Sequence, residues 1–458
     1  MLGVVKKVTY YDKIMTPITL PAHKKISLTI EGGHPLSGTI ETNTSKNGAV
    51  ALLAASLLNK KTTTLHRMPK IEEVFRLIEV LRSIGVTITW QESTLVITPP
   101  EKPTLETIDI PAAQLTRSIL MFIGPLLHAY KDFIIPQSGG CRLGARTVRP
   151  HFFALEPLGV KVETGETHYH ITHEGLTGGK EIILYESGDT VTNNLIMAAA
   201  LIPAATVIKY ASANYQVQEL CFFLEQCGVK IDGIGTTTLT VHGIEDIAQD
   251  IEYTLSEDPI DTMFFLAAAI LTKSEMTITR APIEFLELEL LKLEKMGFQY
   301  ATSAPYVSYN GRTKLVDITT KPSTLTAPEE KIYGRPYPGL NIDNLPFFAV
   351  IATCADGQTL IHDWAYDGRA IHYTELEKLG AEVLLADPHR VFITGPSKLT
   401  PADLECPPAL RPAAILLIAM LAAPGTSHLR NIYSIRRGYE NLAERLASLG
   451  AHVTSFEE

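Results

Sequence analysis

The stretch "LRSIGVTI", Leu81 to Ile88, contains the unit from which the whole chain is built. Leu77, Ile78 and Leu81 are spaced as on one face of a helix, and the apolar residues after Gly85 alternate as in a half-buried strand. Glycine is the residue that most readily takes the left-handed conformation with which many helices end. The stretch therefore predicts an amphipathic helix, a turn at Gly85 and a strand.

The same phrase occurs six times, at intervals of 69 to 83 residues. Its glycines are Gly85, Gly159, Gly228, Gly297, Gly380 and Gly450. Before each phrase comes a segment of small apolar residues: "AVALLAASL", "ILMFIGPLL", "NLIMAAALI", "MFFLAAAIL", "LPFFAVIAT" and "AAILLIAML". A helix that is apolar nearly all round is buried. The repeat therefore predicts a strand, a buried helix, a strand, an amphipathic helix and two strands. Six such α/β units predict two domains of three units each.

Composition narrows the class of protein. The net charge of −10 disfavours a nucleic-acid-binding role, because such proteins usually carry basic patches. The longest apolar runs are too short to span a bilayer, and the charged N-terminus is a poor signal peptide. The five cysteines include no CxxC pair and no cluster with histidine at metal-ligand spacing. We expect a cytoplasmic protein with free thiols and no membrane association, preceded by an extension (residues 1–26) of no visible function.

Polar residues stand where each buried helix should begin. They are Ser45, Lys46 and Asn47; Thr116 and Arg117; Thr192, Asn193 and Asn194; Asp258, Asp261 and Thr262; Asp343 and Asn344; and Arg411. Helix N-termini carry unpaired N–H groups and partial positive charge, so several of them facing one cleft would bind an anion. Helix capping explains any single Ser, Thr, Asp or Asn equally well. A cation at a helix start opposes the dipole, so Lys46, Arg117 and Arg411 need a compensating anion or a solvated surface.

Cys141 lies in "SGGCRLGARTVRPH", Ser138 to His151, a glycine-rich loop with arginines on both sides of Gly144. Glycines allow such a loop to move as a lid. The neighbouring Arg142 and Arg146 would lower the pKa of the thiol and make it reactive. A free surface cysteine without function is the alternative.

Several longer motifs carry a resemblance to a known family. They are "GGHPLSGTIETNTSKNGAVALLAASLL", "MPKIEE", "TRSILMFIGPLL", "GGCRLGAR", "DGRAIHYTELEKLGA" and "IRRGYENLAERLASLGA". With these motifs the chain resembles the enolpyruvyl transferases from about Ile30 to Ala451, on the branch that acts on a UDP-sugar. The "GGCxxGAR" loop separates this branch from the one of the shikimate pathway.

The resemblance implies a two-domain inside-out α/β barrel with buried helices inside and sheets outside. One domain would comprise residues 45–255 with the cysteine loop as a lid, and the other residues 27–44 plus 256–458. It implies transfer of the enolpyruvyl group of phosphoenolpyruvate to the 3-hydroxyl of UDP-N-acetylglucosamine, with loss of phosphate, at the start of peptidoglycan synthesis. It implies no metal or organic cofactor. The expected partners are phosphoenolpyruvate and a UDP-sugar or other uridine nucleotide, bound by a chain that could act as a monomer.

The resemblance also implies roles for individual residues. Cys141 would protonate phosphoenolpyruvate or form an adduct with it, and would be alkylated by fosfomycin. Asp343 would take the proton of the sugar hydroxyl, and Lys46 and Arg437 would complete the catalytic set. The substrate-binding residues would be Asn47, Lys70, Arg117, Arg146, Val148, His151, Thr192, Asn194, Asp261, Thr262, Arg369 and Arg411.

The match departs from the family pattern on the acceptor side. The family's Ser-Val-Gly is replaced here by Gly188-Asp189-Thr190, and two family glutamates by Asn214 and Gln216. An aspartate at position 189 would repel a diphosphate unless its side chain turned away. The uridine strip reads Thr147-Val148-Arg149-Pro150 in place of Pro-Val-Asp-Leu, and Ala409 replaces an aspartate thought to assist proton transfer.

Three interpretations follow from these departures. The first is the peptidoglycan reaction in a divergent sequence. The second is an enolpyruvyl transferase with another nucleotide acceptor, such as uridine monophosphate in antibiotic biosynthesis. The third is a ligand-binding relative that has lost its chemistry; Cys141, Asp343 and all the matched arginines argue against it, and Ala409 argues for it.

Overall fold

The computed structural model describes residues 25–139 and 147–457. Its helices are α1 (Lys46–Ala55), α2 (Glu72–Ser83), α3 (Ile110–Gln114), α4 (Ile123–Leu126), α5 (Arg149–Leu155), α6 (Asp189–Ala200), α7 (Tyr215–Gln226), α8 (Pro259–Leu271), α9 (Glu287–Lys295), α10 (Leu345–Ala352), α11 (Leu410–Ala422), α12 (Tyr433–Arg436) and α13 (Leu442–Ser448). None of the helices described is long and apolar enough to cross a membrane.

The strands form six sheets, one for each repeat. They are β1 (Ile26–Gly32), β2 (Ser37–Glu41), β3 (Thr63–His66), β4 (Thr87–Gln91), β5 (Thr94–Thr98), β6 (Asp132–Pro136), β7 (Lys161–Thr164), β8 (His168–Thr172), β9 (Glu181–Ile183), β10 (Ala205–Lys209), β11 (Lys230–Asp232), β12 (Thr238–His242), β13 (Ile251–Thr254), β14 (Glu275–Pro282), β15 (Gln299–Thr302), β16 (Tyr306–Val307), β17 (Lys314–Lys321), β18 (Leu325–Thr326), β19 (Ile332–Tyr333), β20 (Ala355–His362), β21 (Glu382–Asp387), β22 (Arg390–Gly395), β23 (Asp403–Glu405), β24 (Gly425–Arg430) and β25 (His452–Glu457). The strand orders are β13-β3-β5-β4, β6-β8-β7, β11-β12-β10-β9, β15-β17-β14-β2, β18-β20-β22-β21 and β23-β24-β1-β25.

The repeat unit predicted from the sequence is confirmed in both of its parts. All six repeat glycines have a positive φ, for example 95° at Gly85 and 100° at Gly297. All thirteen residues of α8 are buried, as are twelve of the thirteen in α11. Strands β14 and β17 pack against α8, and along both strands most buried residues alternate with more exposed ones. Helices inside and sheets outside are the architecture that the resemblance implied.

The second buried helix is less regular than the sequence predicts. It begins as a 3-10 helix over Arg117–Phe122 and becomes α-helical only in α4. Pro125 has no N–H to donate, and the N–H of Gly124 donates to Asn194 Oδ1 at 2.7 Å. Two adjacent residues therefore contribute no N–H to a regular α-helical ladder.

The chain crosses between two sets of three sheets through exchanged strands. The strand that leads into α1, β2, lies parallel to β14 in the sheet of the fourth unit. Conversely β13, which leads into α8, lies parallel to β3 in the sheet of the first unit. The linking segments run side by side: Ser45 N donates to Ser256 O at 2.9 Å, and Asp258 N to Asn43 O at 2.8 Å. The first strand, β1, joins β24 and β25 and completes the last sheet.

Buried apolar residues form two clusters that follow these crossings. One extends from Ala49 to Leu255, and the other joins residues 28–40 with residues 260–453 and Tyr215. The clusters support the division into domains 45–255 and 27–44 plus 256–458, which remains our proposal for the domain boundaries.

A buried acid stands at the crossing and leads to a prediction on pH. Glu219 accepts hydrogen bonds from Tyr253 Oη at 2.8 Å and from Ser256 N at 3.1 Å. Burial raises the pKa of Glu219 from 4.5 to about 7. The folded state thus binds this proton more tightly than the unfolded state, so the contribution to stability is complete below about pH 4.5 and is lost as pH rises through about 7.

We expect Glu219→Gln to remove this pH dependence. The free energy of unfolding of the wild type should lose about 3 kcal/mol more than that of the variant between these pH values. Urea unfolding at several pH values measures the difference, with the exposed Glu163→Gln as a control that should behave as wild type. Parallel pH curves for wild type and Glu219→Gln would show that Glu219 is not responsible.

Candidate active site

The N-termini of four buried helices meet at one place: α1 belongs to one apolar cluster, and α8, α10 and α11 belong to the other. At the start of α1, Lys46 N donates to Asp258 Oδ2, the cap of α8, at 3.3 Å. Asp343, just before α10, lies 3.5 Å from Arg411 Nη2 at the start of α11. The field of Asp258 also acts on Arg411. The helix starts thus converge, as the sequence predicted.

The two remaining helix starts border the same place. The Thr116 hydroxyl, at the start of the second buried helix, donates to the carboxylate of Glu73. That carboxylate also accepts from Arg437 Nη2 at 2.6 Å and Nε at 3.1 Å, and lies within the electrostatic range of Lys46. At the start of α6, burial raises the pKa of Asp189, and the negative charge of Asp343 also raises it. The site is therefore formed by residues of all six units.

Two buried guanidinium groups flank Asp343. Arg369 is fully buried and is held by Asp363 through Nε and Nη2, at 2.5 and 2.9 Å. Arg411 is 5% exposed and donates from Nη1 to Tyr439 Oη at 3.0 Å. Arg369 Nη1 and Arg411 Nε are both buried and have no hydrogen-bond partner in the described part of the chain. Unpaired buried N–H groups are costly unless a ligand satisfies them.

Lys46 lies among charges of both signs. Burial lowers its pKa, and the nearby Arg437 and Arg411 lower it further. Glu73 and Asp343 act in the opposite direction and support the ammonium form. These two carboxylates provide the negative charge that a cation at a helix start requires. An incoming anion would strengthen the ammonium form of Lys46 again.

Asp343 is the accessible carboxylate of the cluster. Its side chain is 27% exposed, whereas the side chains of Arg369 and Arg411 are 0% and 6% exposed. Asn344, and not Asp343, is the cap of α10, and its side chain makes no capping hydrogen bond. Capping therefore does not explain Asp343, whose partly exposed carboxylate forms ion pairs with two arginines.

Several of the predicted binding residues use their side chains within the fold. Thr192 Oγ1 donates to Gly188 O at 2.8 Å. Asn194 donates to Leu120 O at 3.1 Å. Thr262 Oγ1 lies 3.0 Å from Thr42 Oγ1. At these three helix starts the side chains therefore form hydrogen bonds that stabilise the fold.

Asp261 and His151 are likewise engaged. Both carboxylate oxygens of Asp261 accept from Arg445 at 2.8 Å. His151 is buried against Asn194, with Nδ1 at 3.2 Å from the amide nitrogen. Burial lowers the pKa of His151 to about 3, with a smaller effect from Arg117, so the imidazole is neutral near pH 7.

The remaining predicted residues differ in where they lie. Asn47 donates to Tyr215 Oη at 3.0 Å and is next to Lys46. Arg117 Nη2 donates to Thr147 O at 2.9 Å, beside the half-buried Val148. Lys70 is exposed, with Nζ 5.9 Å from the centre of the Trp90 ring, and has no contact with the cluster in the described residues. Cys141 and Arg146 lie outside the described residues, as does Arg142.

Three participants were not assigned from the sequence: Glu73, Asp363 and Tyr439. Glu73 stands in the quoted "MPKIEE", in the first turn of α2, where exposed acids are common because they favour the helix dipole. Only its burial and its ion pair with a residue 364 positions away reveal its importance. The cluster offers no metal site: within the described ranges no three His, Cys, Asp or Glu residues could together hold a metal ion.

The comparisons with known proteins identify the family of the chain. The sequence profile of the family described as EPSP synthase (3-phosphoshikimate 1-carboxyvinyltransferase) matches residues 30–446. The UDP-N-acetylglucosamine 1-carboxyvinyltransferase of Treponema denticola is 32% identical over 424 residues, which cover 93% of this chain and 98% of that protein. The enzyme of the same name from Bacteroides thetaiotaomicron is 32% identical over 438 residues, with 93% and 99% covered.

Solved structures share the fold at lower identity. The crystal structure of the enolpyruvyl transferase NikO from Streptomyces tendae superposes with a TM-score of 0.80 at 23% identity, over 95% of this chain and 100% of that chain. The EPSP synthase from Acinetobacter baumannii gives 0.72 at 17% identity, over 94% and 100%. With a profile that matches most of its length and relatives above 30% identity over nearly their whole length, the chain belongs to the EPSP synthase family of carboxyvinyl, or enolpyruvyl, transferases.

Proposed function

We propose that this protein transfers the enolpyruvyl group of phosphoenolpyruvate to the 3-hydroxyl of UDP-N-acetylglucosamine and releases phosphate, in the cytoplasm, at the first committed step of peptidoglycan synthesis. The observation that carries the proposal is the pair of buried guanidinium groups with unpaired N–H groups, Arg369 Nη1 and Arg411 Nε. Both flank Asp343, and the charges of Arg411 and Asp343 act on Lys46. The relatives named for this reaction support the choice of substrates.

A small polyanion fits this cluster. Arginine binds phosphate and carboxylate groups through two parallel hydrogen bonds, and the helix starts add N–H groups and positive potential. Phosphoenolpyruvate carries both a phosphate and a carboxylate. Its arrival would satisfy the unpaired N–H groups and balance Lys46, Arg411 and Arg437.

Two proton transfers complete the reaction that we propose. The acceptor oxygen bonds to C2 of phosphoenolpyruvate, its proton passes to Asp343, and a proton is added to the methylene carbon C3. The bond from C2 to the phosphate oxygen then breaks as C3 loses a proton, and phosphate leaves. The partly exposed position of Asp343 between two arginines supports its part, because a carboxylate oxygen there can accept a proton from a hydroxyl that binds beside it. We assign the proton addition at C3 to Cys141, on the resemblance.

Glu73 takes a supporting part in this proposal. It orients Arg437 through two hydrogen bonds and stabilises the charge of Lys46. Because Glu73 and Arg437 come from α2 and from the segment after α12, their ion pair joins the first unit to the last. Lys46, Arg369, Arg411 and Arg437 all come from one chain, which supports our proposal that the protein acts as a monomer.

We expect fosfomycin to modify Cys141 alone among the five cysteines. Burial raises the pKa of the other thiols, to about 12 at Cys227 and Cys406 and about 11 at Cys354, so they remain protonated and unreactive. Intact mass spectrometry followed by peptide mapping should find one added inhibitor mass on the loop peptide. The variant Cys141→Ala should take up none. An unmodified wild type under saturating inhibitor, or a modified Cys141→Ala, would remove Cys141 from its role.

Phosphate release tests the proposed acceptor. The protein is incubated with phosphoenolpyruvate and either UDP-N-acetylglucosamine, uridine monophosphate or no nucleotide. We expect release only with UDP-N-acetylglucosamine. Release only with uridine monophosphate would favour the second candidate function, an enolpyruvyl transferase with another nucleotide acceptor. This alternative is supported by the departures from the family pattern at Asp189, Asn214, Gln216 and Ala409. No release under any condition would favour a ligand-binding protein without chemistry.

A further inference from the structure

Asp189 forms a compact hydrogen-bonded cluster at the start of α6. Its carboxylate accepts from Ser212 Oγ at 2.5 Å, Asn214 Nδ2 at 3.1 Å and Gln216 Nε2 at 2.7 Å. Asn214 caps α7 at the same time, with Oδ1 accepting from Tyr215 N at 2.9 Å. The carboxylate is therefore turned toward α7 and held in one orientation.

The three donors are neutral, so the negative charge of Asp189 is not balanced by them. Among the described residues no lysine or arginine forms an ion pair with this carboxylate. The charge of Asp343, which has the same sign, also acts on Asp189. Asp189 is the first residue of α6 and Gly188 is the cap, so capping does not explain the acid, and a half-buried carboxylate without a paired cation has a desolvation cost. Local folding alone does not account for the choice of an aspartate here.

The cluster has hydrogen-bond acceptors that remain unused. Gln216 is 5% exposed, and its Oε1 is buried without a hydrogen-bond partner in the described part of the chain. The carboxylate of Asp189 has about four lone-pair positions, of which three are used. Both groups accept and neither can donate, so what they require is a ligand hydroxyl or N–H.

The cluster lies on the acceptor side of the site. Tyr215, which follows Asn214, accepts from Asn47 next to Lys46. Thr190, next to Asp189, lies 3.3 Å from His151 Nε2, and His151 follows the loop that ends at Val148. Asp189 thus stands between the proposed base, Asp343, and the strip that we assign to the uridine.

We propose that Asp189, with Gln216 beside it, is a specificity-determining residue that accepts a hydrogen bond from a neutral hydroxyl group of the acceptor nucleotide. The inference rests on the proposed function and specifies which group of the acceptor the protein recognises. The phosphate groups of the acceptor lie away from Asp189, because an uncompensated carboxylate repels them. The hydroxyl belongs either to the ribose or to the pyranose, two sources that the experiment distinguishes.

The test uses steady-state kinetics of Asp189→Asn and Asp189→Ser in the full-length chain. Loss of a hydrogen bond to a charged group should raise KM for UDP-N-acetylglucosamine by about tenfold to a hundredfold. We expect kcat and KM for phosphoenolpyruvate to change by no more than about threefold, since those interactions lie elsewhere. Asp232→Asn, on the exposed strand β11, serves as the matched control and should leave all constants unchanged.

Deoxygenated acceptors separate direct contact from a structural effect. UDP-N-acetylglucosamine lacking one ribose or pyranose hydroxyl is compared in wild type and Asp189→Asn. In wild type, one analogue should have a KM raised by the same factor as the substitution Asp189→Asn causes for the full substrate. In Asp189→Asn, that analogue and the full substrate should have equal KM values. The position of that hydroxyl identifies the group that is bound.

The possible outcomes are distinct. An unchanged or lowered KM for the acceptor in Asp189→Asn would overturn the inference, since the carboxylate would then be neutral or repulsive. If, for every analogue, the rise in KM caused by the missing hydroxyl multiplies with the rise caused by Asp189→Asn, the inference is also overturned and Asp189 has a structural role. If wild type releases no phosphate with UDP-N-acetylglucosamine, the proposed function fails and the inference falls with it; if wild type turns over and only the Asp189 predictions fail, the proposed function stands.

Discussion

Replacing Asp343 by asparagine is expected to lower kcat by about 10²- to 10⁴-fold, the range for loss of a general base. The amide cannot accept the proton of the acceptor hydroxyl, although it has nearly the same shape. It also removes the charge that partly neutralises Arg369 and Arg411. We therefore expect KM for phosphoenolpyruvate to stay the same or fall, because the guanidinium groups attract the anion more strongly.

Steady-state phosphate release and calorimetric binding of phosphoenolpyruvate separate these two effects. The matched control is Asp403→Asn, an exposed aspartate that pairs with Arg430 far from the cluster, and it should behave as wild type. Near-normal turnover of Asp343→Asn would remove Asp343 from the role of base. Weakened binding of phosphoenolpyruvate by that variant would instead indicate that Asp343 holds the arginines in place.

The second large effect is expected for Arg411→Gln. It removes a buried guanidinium at the start of α11 whose Nε is unpaired. Loss of one charged donor to the transferring phosphate should lower kcat/KM for phosphoenolpyruvate by about 10²- to 10³-fold. The substitution also leaves Asp343 with one arginine, so part of the loss should appear in kcat.

Arg411→Lys provides the informative comparison. Lysine keeps the positive charge but cannot form two parallel hydrogen bonds, so its kcat/KM should lie between those of wild type and Arg411→Gln. Thermal unfolding of both variants checks that the fold is intact. Equal activity of Arg411→Lys and wild type would show that Arg411 contributes only its charge, and normal activity of Arg411→Gln would exclude it from the anion site.

The repeat allowed much of the fold to be predicted from the sequence. A glycine at the end of each amphipathic helix and a small-residue helix before it are local features, and local spacing reveals them. The exchange of β2 and β13 between the first and fourth sheets could not be predicted in this way. Nor could the insertion of β1 beside β24, because Leu28 and Leu429 pair across 401 positions that no local pattern connects.

The site shows the same division between local and long-range information. Lys46 and Arg411 could be singled out because a cation at the start of a buried helix opposes the dipole, whereas Asp343 was assigned only through the resemblance. Glu73 could not be identified as a site residue from the sequence, since only its ion pair with the distant Arg437 places it in the cluster. Thr192 and Asn194 form hydrogen bonds with backbone carbonyls inside the fold. The sequence alone does not show whether a polar residue at a helix start forms such bonds or binds a ligand.

The most direct test of the central claim is a crystal structure of Asp343→Asn with phosphoenolpyruvate and UDP-N-acetylglucosamine. The slow variant should retain both substrates. We predict that phosphate and carboxylate oxygens of phosphoenolpyruvate accept hydrogen bonds from Arg369 Nη1 and Arg411 Nε, with Lys46 beside them. Phosphoenolpyruvate bound away from these helix starts, or no binding at saturating concentration, would contradict the account.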